Sequence, residues 1–341
     1  MKINMKILTC AISFAIAAAV PTSLLAALEL ESYGSARLQL ESVNPDSGVN
    51  YQSGDSGSYI GPRDAYSRIG LKLGWQMTDA VKFFGQLEIP LDIANIKVQD
   101  PYNDIRDLRI AKIGLDTDRG TLAFGQMWLP FYNAISYKVD RFSSYYSGYA
   151  TLAQFRAHNV ISYYSPDYDG FSFSAGAVMS DRSDRADTFD DNRYQFTTSY
   201  NRNGTDISIG GEHVANDTKE QLFGAALGQQ IEQLYVAVKF EHWNENGSEI
   251  AKAINFYADY QVNEYTFKAM IADVEGFGGQ ILHVGADYQF SKNVKTFVEF
   301  YQQESESALA NRKAGGAGTP SFADPLQGGG NALAVGFRYD F

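Results

Sequence analysis

From Asn331 to Phe341 apolar and polar side chains alternate without a break. Leu333, Val335, Phe337, Tyr339 and Phe341 leave one face, while Ala332, Ala334, Gly336, Arg338 and Asp340 leave the other, because successive side chains of a strand point in opposite directions. A strand of this kind separates two different solvents. The same period recurs far upstream: Ile69, Leu71, Leu73 and Trp75 alternate with Arg68, Gly70, Lys72, Gly74 and Gln76, and Phe171, Phe173, Ala175 and Ala177 with Ser172, Ser174 and Gly176. Apolarity at every second position also reconciles 22 Tyr and 22 Phe with a mean hydropathy of only −0.27. No apolar run of transmembrane-helix length follows the first residues, so any membrane crossing must be made by strands greasy on one face.

Short polar turns punctuate the alternation at Thr78 and Asp79, Asp116 to Gly120, Pro166 to Gly170, Asn201 to Gly204, Gly228 to Glu232, Val262 to Glu264, and Ser291 to Asn293. Seven such turns, with a first and a last strand added, predict sixteen antiparallel strands and eight longer loops. A soluble sandwich of that size would normally divide into two domains joined by a linker, and none is visible. A closed transmembrane β-barrel is therefore expected over 28–341, the final strand pairing with Leu30 to Glu41 so that no edge faces lipid. Trp75, Tyr200, Tyr260, Tyr265, Tyr288 and Phe290 stand beside the short turns, where a membrane interface favours amphipathic rings. Ile105 to Leu115 and Glu220 to Leu227 alternate weakly, as expected where the wall contacts another subunit instead of lipid.

Residues 1–27 read as a secretory signal: Lys2 and Lys6, an apolar stretch Ile7 to Val20, and a small-residue exit Pro21 to Ala27 with cleavage expected near Ala26 or Ala27. Cys10, the only cysteine, would leave with it, so no disulfide can support the exported chain. Loss of Lys2 and Lys6 moves the formal net charge from −12 to −14. That balance argues against nucleic acid as a partner. Many acids fall in apparent loops, Asp181, Asp184, Asp187, Asp190 and Asp191 among them, and suit a surface facing cations and lipopolysaccharide.

The longest interruption of the first half, Trp128 to Phe155, contains nine aromatic residues and a single carboxylate, Asp140, flanked by Lys138 and Arg141. So many rings are expected to fold inward against the wall and narrow the lumen, with Tyr145 and Tyr146 in the lining. Arg37, Arg68, Arg109 and Arg156 fall on early strands, with Lys72 nearby, and guanidinium is charged at any relevant pH. Individually each arginine could be a lumen residue paired with Glu31, Glu41, Glu88 or Asp107. As a group they would set a transverse field across a narrow aqueous passage.

With these residues in view the chain resembles the general diffusion porins of the Gram-negative outer membrane along essentially its whole length after the signal. The likeness is carried by Tyr33, Gly34, Ser35, Ala36, Arg37 and Leu38; by Ser67, Arg68, Ile69, Gly70, Leu71 and Lys72; and by Arg109 followed by Gly114 and Leu115. It continues in Phe124, Gly125 and Gln126, then Arg156, Asn159, Tyr163, Ser165, Pro166, Gly170 and Phe171, and ends on the terminal Phe341. The resemblance implies a sixteen-stranded barrel, a homotrimer, a third external loop folded into the pore, and basic wall residues opposite acidic loop residues. It assigns Arg68, Arg109 and Arg156, and by extension Arg37, to the constriction. It also makes Phe337, Tyr339 and Phe341 a signal for the barrel assembly machinery. The acidic Pro-Glu-Phe-Gly-Gly turn of enterobacterial members is missing, which leaves Asp140 as the loop's acid and the sign of ion preference open.

The expected function is passive diffusion of small hydrophilic solutes and ions, without catalysis or cofactor. A barrel selective for an oligosaccharide or an anion is the alternative, and an outer-membrane enzyme or adhesin a third. His158, His213, His242 and His283 lack metal-ligand spacing. His158 with Asn159 has no serine elbow for a hydrolase, and Asp167, Tyr168, Asp169, Gly170 is too short for a calcium loop.

Overall fold

The computed structural model describes residues 28–46, 58–101, 108–180, 191–304 and 329–341. The expected signal, Asp107, the acids from Asp181 to Asp190 and residues 305–328 lie outside the described residues. Strands β1 (Leu28–Pro45), β2 (Tyr59–Asp64), β3 (Ser67–Thr78), β4 (Val81–Leu91), β5 (Ile110–Thr117) and β6 (Gly120–Trp128) lead to the long interruption. After it come β7 (Arg156–Tyr164), β8 (Phe171–Val178), β9 (Arg193–Arg202), β10 (Thr205–Val214), β11 (Gln221–Ile231) and β12 (Leu234–Glu245). Strands β13 (Ser248–Val262), β14 (Tyr265–Val274), β15 (Gly279–Ser291), β16 (Val294–Gln303) and β17 (Gly330–Asp340) complete one antiparallel sheet.

Seventeen segments make sixteen barrel strands, because β2 and β3 are two halves of one. Residues 38–43 of β1 pair with β2 and residues 28–35 with β3. The break at Ala65 and Tyr66 inserts one extra residue, with Tyr66 at φ +70°. It is stitched to β1 by the Ala65 N–H donating to the Arg37 carbonyl at 3.2 Å and the Arg37 N–H donating to Ser67 Oγ at 2.8 Å. The sheet closes where β17 pairs with β1, Ser35 opposite Asp340 through Pro45 opposite Gly330. Gly34 and Phe341 then exchange two backbone hydrogen bonds, at 2.8 and 3.1 Å. Closure leaves no unpaired edge to face hydrocarbon.

The alternation sorts as the sequence requires. Leu333, Val335 and Phe337 are exposed on the outer face of β17, whereas Ala332 and Ala334 are fully buried on its inner face. Rings meet at the short-turn end, Tyr265 on Tyr288 at 4.8 Å and Phe171 on Tyr200 at 4.6 Å, forming part of an aromatic band. The seven short turns all join consecutive strands; at Asn203 and Gly204 both φ angles are positive, +54° and +81°, as a two-residue hairpin turn demands. The opposite connections are not all long, however. Between β12 and β13 the expected loop is a two-residue turn at Asn246 and Gly247, again with positive φ at both. Asn-Gly is as strong a hairpin signal there as at the short-turn end, and overrides the expectation of alternating loop lengths.

Candidate functional site

Residues 129–155, between β6 and β7, open with helix α1 (Pro130–Ala134) and a 3₁₀ turn at Ser136–Lys138. The rest has no regular backbone pairing, so its amide groups need other partners. Those partners are side chains on the polar face of the sheet. Glu299 of β16 accepts from the N–H groups of Ser143 at 2.6 Å and Ser144 at 2.9 Å. Glu241 of β12 accepts from Leu152 N–H at 2.7 Å, Thr151 Oγ1 at 2.6 Å and Ser136 Oγ at 2.9 Å, and is balanced by Lys239 at 2.7 Å. Gln39 of β1 takes the Tyr145 N–H at 2.8 Å, and Gln195 of β9 takes the Phe131 N–H at 2.9 Å. Four distant parts of the wall thus grip one segment.

The aromatic residues of the segment complete this grip. Tyr145 is wholly buried between the Arg63 guanidinium, 3.4 Å from its ring centroid, and the stacked ring of Tyr66 at 5.5 Å. Tyr146 stacks on Tyr301 at 5.0 Å and donates to Glu41 at 2.8 Å. Neither lines open space, in contrast to the expectation for both: the Tyr145 ring is used up against β2 and the Tyr66 break, and the Tyr146 ring against β1 and β16. Phe142 stacks on His283 at 3.5 Å. Under the segment the polar face carries small residues, Ala251, Ala253, Ala332 and Ala334, all buried, and Gly224 lies beneath the Phe131 ring. This accounts for the weak alternation of β11, whose inner face meets protein instead of water.

A cavity of about 530 Å³ remains between the segment and the wall. Arg37, Arg68, Arg109 and Arg156 all line it, together with Asp140. Lys72 does not; it sits in a separate cavity nearer the short turns, paired with Glu31 at 3.2 Å, because its position on β3 is two repeats of the strand period below Arg68. Arg109 is buried between Glu88 at 2.8 Å and Asp100 at 2.9 Å, and Glu88 also reaches Arg68 at 3.5 Å. Arg156 lies 3.7 Å from Asp100 and 4.9 Å above the Trp128 ring. Arg37 donates to Ser35 at 2.7 Å. Asp140 accepts from the Tyr132 hydroxyl at 2.5 Å and from the Ser147 hydroxyl. Burial first, and the Asp140 carboxylate second, push the Tyr132 phenol well up, so it stays a donor. The two cations flanking Asp140 in sequence turn elsewhere, Lys138 to Asp206 at 2.6 Å and Arg141 to Asp259 at 3.0 Å.

Sequence reasoning missed half the cationic lining. Arg141, Lys268, Lys295 and Arg338 also face the cavity, Lys268 and Lys295 sharing Asp287 at 2.7 and 2.6 Å. Lys268, Lys295, Arg338 and Asp287 occupy polar positions of alternating runs, so parity alone marks them as inward. Asp100 belongs to a connection, and nothing in the alternation points to it. In all, eight cationic side chains line the cavity against four carboxylates, Asp140, Asp259, Glu264 and Asp287, while Glu88, Asp100 and Asp340 pair with lining cations without lining it themselves. The lining is positive in balance, although Arg37, Arg109 and Lys268 are themselves buried.

A family model described as Gram-negative porin matches residues 12–308. No curated protein matches the chain. Among solved structures, the anion-selective porin from Comamonas acidovorans is 16% identical, with a TM-score of 0.68 over 92% of this chain and 100% of that one. OmpF of Salmonella typhi, solved in complex with daunomycin, is 17% identical with a TM-score of 0.69 over 92% and 98%. OmpT of Vibrio cholerae in a trimer form is 14% identical with a TM-score of 0.62 over 92% and 100%.

Proposed function

This chain belongs to the Gram-negative porin family, and from that premise we propose that residues 129–155 form the constriction of its diffusion path, with the arginine-lined cavity as the narrowest passage. The protein is an outer-membrane channel for passive diffusion, and no chemical step is needed. The observation that carries the constriction is the set of wall carboxylates, Glu241 and Glu299, that hold the segment by its own amides. A free surface loop would use water for those bonds. Hydrated solutes small enough to pass would cross between Arg37, Arg68, Arg109 and Arg156 on one side and Asp140 on the other. The field between them orders water, and an apolar solute must displace that water without replacing its interactions.

The excess of cations over carboxylates in the lining supports a modest preference for anions. The acidic net charge does not oppose this, because charges on outer loops are screened over about 8 Å at physiological salt, whereas those lining the passage act on the ion directly. Three further proposals follow from the family: a homotrimer, contact of the outer face with lipid and lipopolysaccharide, and recognition of Phe337, Tyr339 and Phe341 by the barrel assembly machinery.

Planar-bilayer recording of the purified protein tests the channel directly. Ohmic current steps, arriving in threes, are expected in KCl. Folded protein that inserts without conducting would contradict the reading.

A further inference from the structure

Tyr137 is at odds with the other rings of its segment. Tyr132, Tyr145, Tyr146 and Tyr149 are buried, whereas Tyr137 is 59% exposed and lines the cationic cavity. Its exposure is not slackness. The residue before it, Ser136, is bonded to Glu241 at 2.9 Å, and the residue after it, Lys138, is buried and paired with Asp206 at 2.6 Å. Tyr132 meets the ring edge-on at 6.4 Å and is itself packed on Phe155 at 4.8 Å. A large apolar face is therefore held between two anchored neighbours in the same cavity that Arg37, Lys268 and Lys295 line.

We propose that Tyr137 and the cationic wall together form a binding station for aromatic carboxylates in transit. The inference rests on the channel reading above and adds a solute class to it. An arenecarboxylate matches both halves of the site: its ring has a pre-positioned partner for stacking, and its carboxylate faces guanidinium and ammonium groups. A neutral sugar would use the ring but leave the cations without a counterion. An aliphatic anion would use the cations but gain nothing from the ring's π face. The cavity, about 530 Å³, is within the range of sites that take small organic molecules.

The test is block of the KCl current through the full-length protein by sodium benzoate, sodium cyclohexanecarboxylate and benzyl alcohol at pH 7.5. Benzoate should half-block at a concentration about fivefold lower than cyclohexanecarboxylate, the fold expected of one aromatic contact. Benzyl alcohol should block more weakly than benzoate. Tyr137→Phe should keep the benzoate advantage and Tyr137→Leu should remove it, each variant being referred to its own KCl current. Equal block of the native channel by benzoate and cyclohexanecarboxylate overturns the station while leaving the channel intact, as does an advantage that survives in Tyr137→Leu. Equal block by benzyl alcohol removes the cations from it. Absence of any current overturns the channel reading and this one with it.

Discussion

Glu88 holds two guanidiniums, Arg109 at 2.8 Å and Arg68 at 3.5 Å, and is itself buried. Removing its charge leaves Arg68 without that partner and Arg109 with Asp100 alone. Glu88→Gln should therefore lower stability by about 3 kcal/mol, toward the lower end of what breaking a buried pair costs. Glu31→Gln, which breaks the exposed pair with Lys72, should cost less than about 1 kcal/mol. Urea unfolding of the two variants in detergent separates them, and equal midpoints would show that burial does not govern these pairs. At this scale the sequence was legible wherever parity applied. Arg37 and Arg68 sit on polar positions of clean runs and line the cavity. Tyr145 and Tyr146 belong to a segment without periodicity, and nothing local to them distinguishes a ring that faces water from one clamped by Arg63 or Tyr301.

Residues 129–155 and the seam between β1 and β17 are the two elements on which the molecule depends. Glu299 supplies both oxygens to consecutive amides of the segment, so Glu299→Ala should free it locally and raise single-channel conductance and current noise. Unchanged conductance would mean that the other grips at Glu241, Gln39 and Gln195 suffice. At the seam, the Phe341 ring lies over Gly34, directly opposite across the strands, where any Cβ would collide with it. Gly34→Leu should displace the ring and lower the folded fraction, at a cost of about 1 kcal/mol for the lost cross-strand pair. A heat-modifiability gel measures that fraction, and a wild-type value would show that the ring does not hold the seam. The strands and their turns were readable because a period of two and Asn-Gly pairs carry most of the information. The buried alanines beneath the segment were readable in principle, since Ala251, Ala253, Ala332 and Ala334 stand on polar positions where a water-facing wall would carry larger polar groups. What covers them is a long-range contact that no local pattern encodes.

For the molecule as a whole, two charge distributions compete. The chain carries a formal net charge of −12, yet the lining of its cavity carries eight cations against four carboxylates. Closure of the sheet decides between them. It isolates the cavity within low-dielectric walls that focus the local field, while distant acids are screened. Net charge was legible from composition, but this inversion depends on which strands become neighbours in the closed ring, where Arg37 of β1 comes opposite Arg338 of β17. The reversal potential of the channel across a tenfold KCl gradient is the most direct measure of the result. A potential displaced toward the chloride equilibrium value is predicted, with Arg37→Gln combined with Arg338→Gln moving it toward potassium. A native channel that prefers potassium, or a double variant that leaves the potential unmoved, would contradict a cationic constriction at this site.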